Sequence, residues 1–243
     1  MAERIDLSVV IPAYNEQGRL PATLAEISQH LAATSSSYEI IVVDDGSTDA
    51  TGEVTASQAQ SDPHVQLLMT RHAGKGAAVR SGALAARGTR VLFCDADLPM
   101  APAELTRLAA MLADHDIVIA SREGSGASRL GEPYYRHLMG RVFNLIVQVL
   151  AIPGVQDTQC GLKCFTAESA AKIFRLQTVE GFGFDVEILY IARKLGYHLL
   201  EVPIIWSHRE SSRVDPVRDT LRMLGDILRV RWNDLRGVYG RTE

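Results

Sequence analysis

Apolar and polar positions alternate along this chain in two rhythms. Leu7 to Pro12 is a short β-branched run ended by proline, and Tyr38 to Val43 is a second. Val65 to Met69, Val91 to Cys94 and Asp116 to Ala120 repeat the pattern. Between them lie stretches with helical spacing. Asn15 to Ala33 places Leu20, Leu24, Ile27 and Leu31 on one stripe, Ser47 or Thr48 caps a helix through Ala59, and Lys75 to Ala86 and Ala103 to Leu112 follow. Strands that are continuous hydrophobic runs, each followed by a helix, predict a mostly parallel sheet covered on both faces.

The rhythm changes after Ser121. Gly124, Gly126 and Gly131 sit in a polar stretch read as a loop. Helices are predicted from Tyr134 to Leu150, Asp185 to Leu195 and Asp215 to about Trp232. Short strands are predicted at Cys160 to Thr166 and Leu199 to Trp206, with Pro203 marking an edge or a bulge. There is no internal repeat. The expectation is one α/β domain over 1–243, with a nucleotide-binding half (1–121) and an acceptor half (122–243).

Composition narrows the class. Of the 243 residues, 47% are hydrophobic and 22% charged, which suits a packed core and excludes a mostly disordered chain. Lys+Arg 25 against Asp+Glu 29 gives a net charge of −4, so no basic field points to nucleic acid. The opening MAERIDLSVV shows no signal-peptide pattern, and no apolar run of spanning length is present. Cys94, Cys160 and Cys164 lack the second pair that a zinc site needs and read as buried free thiols.

Candidate chemistry gathers where parallel strands end. Asp44 and Asp45 close the second strand; Asp95 and Asp97 close the fourth, in CDADLP. Carboxylates at i and i+2 past a strand end can converge on one hard cation, Mg2+ or Mn2+, that bridges to a diphosphate. No glycine fingerprint follows the first strand: Pro12, Ala13, Tyr14, Asn15 and Glu16 stand there, which argues against NAD or FAD. HAGKGAAV is not a Walker A loop, because Gly76 follows Lys75; its glycines allow close backbone approach, and Lys75 reaches toward a nucleotide or phosphate.

VVIPAYNE (Val9 to Glu16), VVDDGSTD (Val42 to Asp49), the Lys75-Gly76 pair and DADLP (Asp95 to Pro99) together resemble family 2 glycosyltransferases with the GT-A fold. DTQCGLKCF (Asp157 to Phe165), GFGFDVEIL (Gly181 to Leu189) and EVPIIW (Glu201 to Trp206) are similar to the dolichyl- or polyprenyl-phosphate sugar transferases, most of all to their glucosyl branch. The resemblance implies a GT-A, Rossmann-like sheet followed by acceptor-site and interfacial helices. It implies that Asp44 or Asp45 contacts the nucleoside, with Pro12, Tyr14 and Glu16 lining the same pocket and Lys75 near the phosphates. Asp97 would coordinate the metal, and Asp95 would support the nucleotide-sugar end. Asp157 belongs to the motif that closes over donor sugar and acceptor phosphate. Arg122 would bind the acceptor phosphate, and Arg209 and Arg213 belong to a loop over the diphosphate, with Arg209 also on the acceptor side. One departure stands out: Leu98 occupies a position that is often polar in relatives.

The implied reaction transfers a hexose from a nucleotide sugar to a polyprenyl monophosphate. UDP-glucose is the favoured donor and GDP-mannose the alternative. A phosphate with a second pKa of about 6 is already an anion near neutral pH and needs no strong general base. Inversion by a single displacement follows; a double displacement would need Asp157 or Glu187 as nucleophile. Competing readings are a family 2 enzyme with a sugar or small-molecule acceptor and a non-catalytic sugar-nucleotide-binding protein. Leu138, Val142, Leu145, Ile146 and Val149, and Val217, Leu221, Leu224 and Leu228, form apolar stripes rimmed by arginines. Such stripes suit either core helices or a membrane surface. The implied location is cytoplasmic, peripheral on the cytoplasmic face of the membrane, and a homo-oligomer remains open.

Overall fold

The computed structural model describes residues 4–34, 37–131, 134–207 and 216–240, with the backbone alone described at 134–136 and 216–221. The first half runs β1 (Leu7–Ala13), α1 (Leu20–Thr34), β2 (Tyr38–Asp44), α2 (Thr51–Ser61), β3 (Val65–Met69), α3 (Lys75–Ala85), β4 (Arg90–Phe93), α4 (Ala103–Ala110) and β5 (Ile117–Ser121). The second half runs β6 (Ser128–Leu130), α5 (Tyr134–Leu150), β7 (Lys163–Thr166), α6 (Ala167–Leu176), α7 (Phe184–Lys194), β8 (Leu199–Pro203), β9 (Ile205–Ser207) and α8 (Pro216–Leu235).

Among the described residues, seven strands form one sheet in the order β3-β2-β1-β4-β7-β5-β8. Most neighbours are parallel, but β7 runs antiparallel to both β4 and β5. The sheet is therefore mixed. Successive side chains of a strand point to opposite faces. Val10, Ile41, Val43, Val91 and Phe93 pack on one side under α3, α5, α6, α7 and α8. Val9, Ile11, Ile40, Val42, Leu92 and Cys94 pack on the other, under α1 and α4. Both faces are buried, which is why the strands read as unbroken hydrophobic runs.

Several boundaries differ from the sequence reading, each for a local reason. The first helix begins at Leu20, because residues 15–19 form a turn in which Asn15 takes a left-handed φ of 54°. The helix after β2 begins at Thr51; Asp49, rather than Ser47 or Thr48, accepts the Thr51 amide at 3.0 Å. The stretch Leu199 to Trp206 divides at Ile204 into β8, an edge strand of the main sheet, and β9, which pairs with β6 in a separate ribbon. Part of the predicted loop around Gly126 is thus strand β6. Helix α6 had no counterpart in the sequence reading. Thr166 caps it by accepting the Ser169 amide at 3.2 Å.

The chain passes from β1 outward through β2 and β3, then returns to β4 on the other side of β1. The loops after β1 and β4 consequently diverge and leave a crevice at the carboxyl ends of the strands. Among the described residues no helix is long and apolar enough to cross a membrane.

Candidate active site

The loops after β1 and β2 are stitched together at one wall of the crevice. The Asn15 carboxamide oxygen accepts the Thr48 amide at 2.7 Å, and the Asn15 amide donates to Ser47 Oγ at 2.9 Å. The Glu16 amide donates to Thr51 Oγ1 at 2.7 Å. Asp44 and Asp45 are both buried and hold turns. Asp44 accepts the Ser47 amide at 2.9 Å. Asp45 accepts the Ala73 and Gly74 amides, each at 2.9 Å, and lies 2.8 Å from His72 Nδ1. The His72 ring stacks on Tyr14 with centroids 4.3 Å apart, and Pro12, half-buried, sits in β1 beside Val43.

The next wall follows β4. Asp95, Ala96 and Asp97 occupy a tight turn just past the strand, closed by the Leu98 amide donating to Asp95 O at 3.1 Å. Leu98 is buried with φ of 38°. Among the described residues, Asn15 and Leu98 are the two non-glycine residues with positive φ. Both flank the crevice, where backbone strain commonly serves a site. Lys75 Nζ lies 2.6 Å from Asp95 Oδ1. Arg19 makes a fork to Glu16 at 2.6 and 2.7 Å and reaches within 3.9 Å of Asp97 Oδ2. Burial, followed by the charge of Asp95, pushes the Asp97 carboxyl above its ordinary pKa.

That crowding is what a hard cation would relieve. Two carboxylates make an oxygen-only donor set suited to Mg2+ or Mn2+, and among the described residues no third His, Cys, Asp or Glu completes a cluster. Asp97 and Asp95 are thus the residues that would hold such an ion, other oxygen donors completing its shell.

Lys75 begins α3, and the two glycines beside it have a clear role. A Cβ at Gly76 would lie 2.6 Å from Phe184 Cβ and 2.7 Å from Val179 O; one at Gly74 would lie 2.7 Å from Glu180 O. The glycines admit the chain's own segment 179–184, which includes the GFGF motif, rather than a phosphate. The Ala77 amide donates to Glu180 O at 3.1 Å, and Gln177 Nε2 bridges Gly76 O and Val179 O. Glu187 braces the same segment from full burial. It accepts the Thr178 and Val179 amides at 2.9 and 2.7 Å and the Tyr239 hydroxyl at 2.5 Å.

The neighbouring cleft is built on Asp157. Arg122 clamps it with Nε and Nη2, each at 2.8 Å, and with its amide at 2.9 Å. Burial alone would raise the Asp157 pKa, but the Arg122 charge and hydrogen bonds outweigh burial and hold it well below the carboxylate range. Glu201 of β8 accepts the Gln156 and Asp157 amides at 2.9 and 2.7 Å, fixing the segment. Arg122 also lies 5.5 Å over the Trp206 ring. Glu123 gathers Arg129 at 2.8 Å and Arg141 at 2.9 Å, and the resulting cleft is lined by Arg122, Arg129, Arg141 and Asn144.

Segment 157–161 links the two sides. Asp157 stands at one end; at the other, a methyl added to Gly161 would overlap the Asp95 carboxylate. Four residues span at most about 14 Å, so Asp157, on the wall of the arginine cleft, lies within that reach of Gly161 beside the D-x-D turn.

Pro12, Tyr14, Glu16, Asp44, Asp45, Lys75, Asp95 and Asp97 therefore gather around one crevice, and Arg122 and Asp157 form its neighbour. Arg209 and Arg213 lie outside the described residues. The sequence reading missed Glu123, Arg129, Glu201 and the buried pair of Lys163 with Asp185, 2.5 Å apart. A usable signal was Asn144: a polar residue on the buried face of an apolar helix, whose Nδ2 donates to Gln156 O at 2.5 Å. The three cysteines are buried, and burial raises their thiols, Cys160 to about 11.

A mixed sheet flanked by helices, with carboxylates on turns at its switch point, defines the class as a GT-A-like fold. The solved structures agree. Mannosyl-3-phosphoglycerate synthase from Rubrobacter xylanophilus superposes with a TM-score of 0.70 at 20% identity, covering 96% of this chain and 76% of that one. Glucosyl-3-phosphoglycerate synthase from Mycobacterium tuberculosis, crystallised with Mn2+, UDP-glucose and phosphoglyceric acid, superposes at 0.67 with 19% identity, covering 98% and 81%. Residues 8–174 match glycosyl transferase family 2, and the chain belongs to that family. Among curated proteins it is similar to the dolichyl-phosphate beta-glucosyltransferases of Dictyostelium discoideum (37% identical, covering 98% of this chain and 77% of that protein) and Homo sapiens (34%, 96% and 77%).

Proposed function

We propose that this chain transfers glucose from UDP-glucose to a polyprenyl monophosphate of the dolichyl type, with inversion at the anomeric carbon. The names of its similar relatives support the acceptor and the sugar. The observation that carries the mechanism is the engagement of the two carboxylates that a double displacement would need. Asp157 is clamped by Arg122, and Glu187 is fully buried against backbone amides. Neither is free to become a glycosyl carrier. The nucleophile is then the acceptor phosphate itself. Its oxygen forms the bond to the anomeric carbon as the bond to the diphosphate oxygen breaks, and the leaving diphosphate takes the electron pair.

This chain's residues act by placement and charge. Tyr14, His72 and the turn held by Asp44 and Asp45 shape the nucleoside end. Lys75 and Arg19 bring positive charge to the diphosphate. A divalent ion on Asp97 and Asp95 supplies further stabilisation of the leaving group when bound. Arg122, Arg129 and Arg141 draw the attacking phosphate to the neighbouring cleft. Arg209 and Arg213 belong to the same reading as contributors over the diphosphate. Residues 1–121 thus form the donor half and 122–243 the acceptor half.

We infer further that the acceptor half rests on a membrane surface. Helix α5 buries Phe143, Asn144 and Val147, yet Leu138, Val142, Leu145 (61% exposed) and Val149 (75%) face outward beside the exposed Arg141. In α8 the apolar face is displaced from the stripe read in the sequence. Ile227 and Val230 are buried, Met223 and Leu224 are partly buried against them, and Val217 and Leu221 fall among residues described by backbone alone. Leu228, Trp232 and Leu235 are exposed among Arg229, Arg231 and Arg236. Apolar side chains edged by arginines match an anionic lipid surface. On this reading the protein sits at the membrane periphery, on the cytoplasmic face.

The test offers purified protein a panel of nucleotide sugars, UDP-glucose and GDP-mannose among them, with a short polyprenyl phosphate and Mg2+ or Mn2+. A lipid-linked hexose from UDP-glucose, detected by mass and assigned as the β-glucoside by NMR, is expected. A mannosyl product or an α-linkage contradicts the reading.

A further inference from the structure

Both carboxylates of the D-x-D turn already face cations of their own chain. Lys75 Nζ sits 2.6 Å from Asp95 Oδ1, and Arg19 Nη1 sits 3.9 Å from Asp97 Oδ2. Arg19 is in turn paired with Glu16, and the nearby buried Lys163 is paired with Asp185. Cancelling those two pairs leaves Lys75 against Asp95 and Asp97, a balance of one negative charge.

Lys75 is delivered to Asp95 by fixed backbone. It is the first residue of α3, whose start is sealed against segment 179–184 by Gly74, Gly76 and the Ala77 amide. Burial opposes its charge, but Asp95, Asp185 and Asp97 outweigh burial and hold the proton on Nζ. Asp95 is confined from the opposite side by the backbone of Gly161. The ammonium therefore occupies the side of Asp95 that a metal ion approaching the turn would need.

We propose that Lys75, backed by Arg19, is a resident counter-cation that makes divalent-ion binding conditional on the nucleotide diphosphate. The proposal rests on the reading of the D-x-D turn as the metal-diphosphate site. Without nucleotide, a divalent ion must compete with Lys75 for Asp95, and its charge would turn the local balance from minus one to plus one. A diphosphate reverses both terms. It gives Lys75 a second anion to pair with, so Asp95 is released, and it neutralises the added charge. The ion and the diphosphate then strengthen each other's binding, and the coupling is reciprocal. After transfer, loss of the nucleoside diphosphate lets Lys75 return to Asp95 and favours departure of the ion with it.

Mn2+ binding to the full chain tests this, with free Mn2+ read by electron paramagnetic resonance in the absence and presence of UDP. The wild type is expected to bind Mn2+ weakly alone and at least tenfold more tightly with saturating UDP. In Lys75→Met, binding without UDP is expected to tighten at least fivefold, and the enhancement by UDP to shrink. Lys75→Arg, which keeps the charge, retains the wild-type pattern. Lys172→Met, on an exposed face of α6, leaves both values unchanged and controls for overall charge. Arg19→Gln shifts binding in the same direction by a smaller factor and carries the test if thermal melting shows Lys75→Met to be unfolded. A charge-removing variant that is folded yet binds Mn2+ alone no more tightly than wild type overturns the proposal. Absence of Mn2+ binding to the wild type with UDP would instead overturn the metal-diphosphate reading beneath it.

Discussion

The two halves of the molecule hold their charges by different means. In the proposed donor half, carboxylates stand on turns at strand ends: Asp44 is held by the Ser47 amide and Asp45 by the Ala73 and Gly74 amides, while Asp95 and Asp97 stand on a tight turn and also face Lys75 and Arg19. In the cleft of the proposed acceptor half, charges are fixed mainly by one another. Arg122 grips Asp157 across 35 residues of sequence, and Glu123 collects Arg129 and Arg141 from two further elements. The first arrangement suits a donor whose diphosphate must meet the same groups every turnover. The second suits an acceptor whose long apolar tail lies outside the protein, because α5 carries both an arginine of the cleft and an exposed apolar face.

The largest effect is expected where the backbone-built half meets the leaving group. Asp97→Asn should lower transfer about a thousandfold, on the order of 4 kcal/mol in the transition state, with a near-native melting temperature. Turnover close to wild type would remove Asp97 from the metal site.

The side-chain-built half should fail through stability as well. Arg122→Ala leaves Asp157 buried without its cation, a loss of about 3–5 kcal/mol in denaturant unfolding. The pair also sets an acid limit. Asp157 titrates lower in the folded state than its unfolded value of about 3.9, so the unfolded chain binds the extra proton first. Its contribution is complete above that value and is lost as pH falls below it toward the folded pKa. Asp157→Asn should flatten this acid limb of the stability curve; an unchanged limb would mean the pair contributes no linkage.

A smaller effect tests the seam between the halves. Gly76→Ala pushes a methyl against Phe184 and Val179, with an expected cost of about 1–3 kcal/mol and a raised KM for the donor, since Lys75 moves with the start of α3. The smallest effect on stability belongs to the outer face of α5. Leu145→Glu with Val149→Glu should change unfolding free energy by no more than about 0.5 kcal/mol per site. The same pair should reduce co-sedimentation with anionic vesicles several-fold. Undiminished vesicle binding would move the membrane contact elsewhere.

The contrast also explains what could be read from sequence. Strands β1, β2, β4 and β5 were legible because both faces of the sheet are covered there, so each is a hydrophobic run close to its true length; the edge strand β3 keeps an apolar run but leaves Met69 exposed. The candidate donor site could be proposed from sequence because its groups lie a few residues apart on turns with their own signatures, as in VVDDGSTD and CDADLP. The antiparallel direction of β7 was not: KCFT carries no mark of orientation, which is decided by pairing with β4 and β5. Helix α6 buries a narrow stripe of Ser169, Ala170, Ile173 and Phe174, and its clearest local signal was the Thr166 cap. The Arg122–Asp157 clamp and the Glu201 support are long-range, and no spacing rule connects them. The outward face of α5 was legible as periodicity, but periodicity alone does not separate a core stripe from a surface one. Exposure of Leu145 and Val149 made that separation.

The central claim is that a donor site shared across this fold is joined here to a cleft for a lipid phosphate. Its most direct test is acceptor competition: UDP-glucose, Mn2+ and the full chain are given polyprenyl phosphate and 3-phosphoglycerate together, and both products are quantified by mass. The account predicts glucose on the polyprenyl phosphate and none on phosphoglycerate. Glucosyl-phosphoglycerate as the main product, with no lipid-linked glucose, would contradict it.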